Sequence, residues 1–304
     1  MNPRIPSLLL ALSLYLPGAL RAQVVNPADK AKENAGARAE SPQSRPETWT
    51  RAWPLTKPEP TAPLEPGGLR EEQRIGSYQQ PEWTAQRLFG ETRVYVVPEG
   101  QAEFEFWYVP KVPRHGEPVE NKLQYEFEFG LPYRFQIDLY LVQEKSGNTG
   151  EQASGNKFEV RWALADWDVI PANPTLYLEW VQNDGAADHV EAKLLLGGEL
   201  AQRWHWGSNL VFEHETGGAY ENSHEFTTGV GYSVIDQKLS LGVETKLALV
   251  NVHGARSHVD TELLVGPSLQ FRPLPRAHID LAPLIGVTTD APQLQVFFVF
   301  GWQF

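Results

Sequence analysis

Residues 294–304 read LQVFFVFGWQF and alternate without a break up to the final residue. Leu294, Val296, Phe298, Phe300, Trp302 and Phe304 fall on one face of a strand. Gln295, Phe297, Val299, Gly301 and Gln303 fall on the other, because a two-residue period turns successive side chains to opposite sides. Chain ends fray unless a sheet or a docking surface holds them. An ending this aromatic predicts a last strand built into a sheet.

Working back from it, the same period recurs as far as residue 102, in about twelve amphipathic runs. The first sets Phe104, Phe106 and Tyr108 against Glu103, Glu105 and Trp107. The second sets Tyr125, Phe127 and Phe129 against Gln124, Glu126 and Glu128. The third alternates Phe135, Ile137 and Leu139 with Arg134, Gln136 and Asp138, and the ninth places Leu241, Val243 and Leu247 on one side. Most runs reach the 9–11 or so residues that a tilted strand needs to cross a bilayer. Pro267 and Pro283 interrupt two of them and predict bulges or kinks, since proline has no ladder donor.

The connections alternate in length. Short turns follow the even runs, such as residues 130–132, 171–174 and 273–275, whereas longer polar segments follow the odd ones, such as residues 110–121 and 145–156. Aromatic residues gather near both predicted boundaries. Short turns at one end, longer loops at the other and two aromatic girdles are features of outer-membrane barrels. The fold expected is all-β, a single antiparallel up-and-down transmembrane barrel over residues 91–304. A soluble sandwich with an apolar interior has the same alternation, and period alone does not say which face is wet.

Composition agrees with an exported barrel. The hydrophobic share of 41% is modest, as expected when lipid-facing apolar residues alternate with polar inward ones. Cysteine is absent, so the sheet must be held without disulfides. A net charge of −12 gives no electrostatic reason to bind nucleic acid. Residues 1–22, with Arg4 before an apolar run and Ala22 at the end, read as a cleaved signal peptide. Residues 23–90 are expected to be a mostly disordered, Pro-rich periplasmic linker. Within them, residues 71–90 differ in character from what precedes. Residues 91–97 (ETRVYVV) fit a short strand by pattern, a candidate lead-in packing inside or under the barrel.

Two sequence features carry resemblances. The terminal strand ending in Phe304 resembles the C-terminal signature of bacterial outer-membrane barrels, which implies outer-membrane lipid and the barrel assembly machinery as partners. Residues 162–180 (WALADWDVIPANPTLYLEW), with residues 126–134 (EFEFGLPYR) before them, resemble outer-membrane barrels described as transporters of the phenol-degradation meta-pathway type. That resemblance implies a channel for small solutes, aromatic compounds among them, and carries over no catalytic residue.

Under the barrel reading the polar face is the functional one. Its lumen-facing candidates are Glu103, Glu105, Glu126, Glu128, Arg134, Asp138, Glu159, Arg161, Glu179, Glu191, Lys193, Lys238, Glu244, Lys246, Glu262 and Asp280, with Glu213 beside them. Acid outnumbers base, and such a surplus in a narrow watery lumen favours cations. The expectation is a passive, mildly cation-preferring channel for small solutes. The alternative is a structural or partner-binding barrel whose lumen the side chains or the N-terminal segment plug. The histidines near loops, among them His189, His214, His253 and His258, match no tight metal-ligand spacing, and no cofactor is expected. No nucleophile elbow accompanies His205 or His278, so an enzyme is the least favoured class.

Overall fold

The computed structural model describes residues 59–147, 152–251 and 259–304. The expected signal peptide and residues 23–58 of the expected linker lie outside the described residues. Two short strands, β1 (Arg74–Ile75) and β2 (Gln80–Pro81), pair with each other ahead of the main sheet. The sheet then runs through β3 (Ala102–Val112), β4 (Glu120–Leu131), β5 (Phe135–Ser146), β6 (Gln152–Ala163), β7 (Thr175–Asn183) and β8 (His189–Ala201). It continues through β9 (Trp204–Glu215), β10 (Asn222–Ile235), β11 (Leu239–Asn251), β12 (Asp260–Leu274), β13 (Ala277–Gly286) and β14 (Leu294–Gln303).

Every strand is antiparallel to its neighbour, and β14 pairs with β3 to close a twelve-stranded barrel. At the seam Trp302 lies opposite Phe104, and the Phe304 N–H donates to the Ala102 carbonyl at 3.0 Å. The terminal strand is thus tied along both edges, and no strand of the barrel is left with an open edge.

The two faces are inverted relative to a soluble barrel. Glu126 and Glu128 are 0% and 2% exposed, while Phe127 between them is 39% exposed. Leu139, Leu178, Val243 and Ile285 likewise point out, and Asp138, Glu179 and Glu244 point in. Stacked and tilted aromatic pairs sit on the outer face near the tight turns, Phe135 on Trp162 at 5.7 Å and Trp204 on Tyr232 at 4.9 Å.

Some local expectations change. β12 and β13 keep one register across Pro267 and Pro283, with the pairing interrupted between Val265–Ile285 and Leu269–Leu281. Here Gly266 admits the Pro283 carbonyl, which a Cβ would meet at 2.0 Å. The prolines therefore open the ladder without a register-shifting bulge. The link between β6 and β7 occupies residues 164–174, longer than the expected turn, because Trp167 folds inward against Trp83 and Tyr95 with ring centroids 5.7 and 5.1 Å away.

The segment before the barrel strands departs furthest from a disordered linker ending at residue 90. Ile75, Tyr78, Trp83, Leu88 and Phe89 are buried, and so are Tyr95 and Val96 beyond the expected boundary. These large side chains bury enough apolar area to offset the entropy of ordering. Residues 91–97 form no strand. Their backbone is satisfied instead by side chains of the barrel's inner face.

Candidate functional site

The lumen is built from the outside in by a row of inward glycines. Gly197, Gly207 and Gly229 lie side by side across β8, β9 and β10. A Cβ on Gly229 would meet the Phe89 ring at 2.6 Å, and one on Gly197 would meet Val94 at 2.4 Å. The missing side chains leave the space that residues 88–94 occupy.

Inner-face polar groups then hold this irregular segment. Glu244 accepts from the backbone N–H groups of Gly90 and Glu91 at 2.7 and 2.9 Å. Asn209 accepts from the Arg93 N–H at 2.9 Å and donates to the Arg93 carbonyl at 2.7 Å. Gln136 accepts from the Val97 N–H at 2.7 Å. A buried backbone without a ladder needs such partners, since an unpaired buried donor carries its full desolvation cost.

Charge locks the same segment. The Arg87 guanidinium grips the Glu105 carboxylate through Nε at 3.1 Å and Nη2 at 2.8 Å, and lies 3.9 Å from the Trp107 ring centre. Arg93 reaches Glu126 at 2.7 Å, Glu128 at 3.2 Å and Glu105 at 3.6 Å. Beside them Arg161 pairs with Asp138 at 3.0 Å and with Glu159, and His278 bridges Glu103 at 2.6 Å and Asp280. Three groups here bring carboxylate or imidazole atoms within 4.8 Å of one another, around Glu105–His278, Glu105–Glu128 and Glu126–Glu159. Guanidinium groups already compensate most of those carboxylates, which makes them poor hosts for a metal ion.

The expected site residues therefore divide. Glu103, Glu105, Glu126, Glu128, Asp138, Glu159, Arg161 and Asp280 converge on the buried lock, and Glu244 holds the segment's backbone. Glu179, Glu191, Lys193, Lys246 and Glu213 line a separate cavity of about 390 Å³ toward the long-loop end. Glu262 is half-buried on the inner face of β12. Two candidates are not lumen residues. Arg134 lies in the turn after β4 with φ 65°, next to Tyr133 at φ 63°, and bonds the Ala163 carbonyl and Asp166. Pro132 ends the ladder there, so the alternation that counted Arg134 as a strand residue does not apply. Lys238 is exposed in the turn between β10 and β11.

Arg87 and Arg93 escaped the sequence reading, as did Lys122, Glu144 and Lys157 in the cavity wall. The last three continue the inward alternation of Gln124, Val142 and Glu159, and that extension was the available signal.

At the tight-turn end the segment is sealed to the rim. Asp236 accepts from the Arg70 and Glu71 N–H groups at 3.0 and 3.1 Å, and Glu72 accepts from the Arg203 N–H at 2.6 Å. Burial raises the Glu71 carboxyl above its ordinary value and pushes the Tyr78 phenol up to about 12. A groove of about 130 Å³ at this mouth, between Gln86 and Pro275, shares no lining residue with the larger cavity. Residues 83–97 lie between the two.

These features, charge inside, apolar residues outside and a closed twelve-stranded ladder, define the fold class of outer-membrane β-barrels. An outer-membrane channel from Pseudomonas putida F1 superposes with a TM-score of 0.51 at 9% identity, over 69% of this chain and 98% of that one. The NanC porin gives 0.44 at 11% identity, over 66% of this chain and 97% of that one. The KdgM porin in complex with oligogalacturonate gives 0.44 at 8%, over 66% and 98%. At such identities the likeness to the Pseudomonas channel speaks for the fold. No family model and no curated protein sequence matches the chain.

Proposed function

We propose that the protein is an outer-membrane channel for small solutes, closed in this conformation by its own residues 69–101. The observation that carries this reading is the inverted barrel: a charged interior with a cavity, inside an apolar exterior banded by aromatics. Both barrel termini leave at the end where four of the five connections are only two or three residues long, so that end faces the periplasm and the other faces out. The barrel then sits in outer-membrane lipid, its last strand, ending in Phe304, engages the assembly machinery, and the preceding segment is periplasmic. The resemblance of residues 162–180 to phenol-degradation-type transporters favours the same function.

Arg87 and Arg93 compensate much of the acid in the lock, so selectivity rests with the long-loop cavity. There carboxylates still exceed lysines, and a mild cation preference follows. The density of the lock favours a second reading, a structural barrel that is permanently plugged. Planar-bilayer recording of the full chain separates the two. Discrete steps with a cation-side reversal potential in a salt gradient support the channel. Silence under all voltages, with correctly folded protein, supports the plugged barrel.

A further inference from the structure

The long-loop cavity is two-sided. On one wall cations and carboxylates stand as matched neighbours: Lys122 with Glu144 at 3.0 Å, Lys157 with Glu179 at 3.0 Å, Lys193 with Glu191 at 2.7 Å and Lys246 with Glu225 at 2.9 Å. On the other wall Trp107, Val109 and Phe297 line the same cavity and cluster with the inward Leu264, Ala282 and Leu284. The aromatic rings and the ion-pair wall thus face one shared space of about 390 Å³, the scale of a small-molecule site.

This arrangement discriminates by charge type. A singly charged ligand that recruits one member of a deeper pair, such as Lys157–Glu179 (15% and 4% exposed) or Lys193–Glu191 (18% and 13%), leaves the other uncompensated in a confined space, where an unpaired charge is costly. A ligand carrying both charges exchanges partner for partner: its carboxylate takes a lysine, and its ammonium takes the glutamate that lysine released. Glu91, which shares Lys246 at 3.3 Å, and Glu213, which meets His189 at 2.8 Å, also face the cavity. An apolar body on the same ligand meets the edges of Trp107 and Phe297, 7% and 4% exposed, together with Val142 and Val181.

We propose that this vestibule is a binding site for small amphipathic zwitterions of the amino-acid type. The proposal rests on the channel reading for how the ligand arrives, but binding itself requires no passage. Isothermal titration of the folded full chain in detergent tests it with L-phenylalanine, 3-phenylpropionate, phenethylamine and glycine. Phenylalanine is expected to bind about tenfold or more tighter than either singly charged analogue, the scale of one lost charge-assisted bond. Glycine, without the apolar body, is expected to bind more weakly as well. Equal or tighter binding of phenylpropionate or phenethylamine would overturn the proposal, as would no binding of phenylalanine.

The paired variant Lys193→Met with Glu191→Gln leaves net charge unchanged and is expected to lose phenylalanine binding while keeping the heat-modifiable gel migration of a folded barrel. Full retention of affinity in a folded variant counts against the ion-pair wall. Liposome swelling run in parallel distinguishes the failures. Swelling without phenylalanine binding ends this proposal and spares the channel, and binding without swelling does the reverse.

Discussion

The two halves of the lumen are made of the same residue types and use them differently. Toward the tight turns Arg87 and Glu105 are each 1% exposed and touch protein on all sides. Toward the long loops Lys122 and Glu144 form a similar pair at 34% and 50% exposure. Burial makes the first pair a lock: removing one partner strands a charge that water cannot reach. Hydration makes this rim pair exchangeable, worth about 0–1 kcal/mol as an ion pair, whereas deeper pairs such as Lys157 with Glu179, at 15% and 4%, are more confined. One alternating pattern thus yields a closure at one end and a receptive surface at the other, and residues 83–97 draw the boundary by filling only one half.

The largest effect is expected where that boundary is broken. Arg87→Ala with Arg93→Ala leaves Glu105, Glu126 and Glu128 without their main cations, at about 3–5 kcal/mol for each buried pair lost. The segment should leave its seat, seen as a stepwise rise in bilayer conductance and new protease cleavage within residues 69–97. Unchanged conductance together with new cleavage would show that the segment is not the barrier. Next in size is the contrast between the faces. Leu178→Arg on the outer face should cost about 2–4 kcal/mol of folding into vesicles if the site lies near the bilayer midplane. Val181→Arg, which faces the cavity, should cost far less in the same urea titration. Equal costs would mean that the apolar face does not meet lipid.

A third test asks whether the seat was shaped for the segment. Gly229→Val puts methyl groups where Phe89 lies and should cost about 1–3 kcal/mol by overpacking. Hydrogen exchange is the readout: residues 88–94 should lose protection while the strand amides of β9 and β10 keep theirs. Loss of protection throughout the barrel would mean that the glycine serves the sheet and not the segment.

The barrel strands are legible in the sequence because a wet lumen and a lipid exterior impose a strict two-residue period on each. Phe127 between Glu126 and Glu128 could face only one way. Strand ends are less legible. Lys122, Glu144 and Lys157 continue the inward alternation beyond the apolar band, where the outward partners become polar and the contrast fades. The lock is least legible of all. Arg87 and Arg93 sit on an aperiodic segment, and their carboxylates are 18 and 33 residues away in sequence, with Glu244 another 154 from Gly90. These groups become neighbours only once the barrel has closed. Arg134 and Lys238 show the converse: the two-residue period includes both, but a turn removes each of them from the strand. The inward glycines were the one trace of the segment in the barrel's own sequence, since a gap in a side-chain-filled lumen implies something bulky in it.

The smallest change in stability comes from the vestibule rim, and there the comparison becomes sharpest. Lys122→Met removes the cation of the pair with Glu144. Both side chains are hydrated, so folding stability should move by no more than about 1 kcal/mol. The carboxylate remains, however, and water screens a rim charge from its neighbour far more than it screens a confined lumen from passing ions. The reversal potential in a salt gradient should therefore shift toward greater cation preference although the urea midpoint barely moves. In the buried half the same kind of substitution, at Arg87, changes stability and conductance together. If Lys122→Met also lowered stability by several kcal/mol, the rim would be as dry as the lock, and the division of the lumen into a closed half and an exchangeable half would be lost.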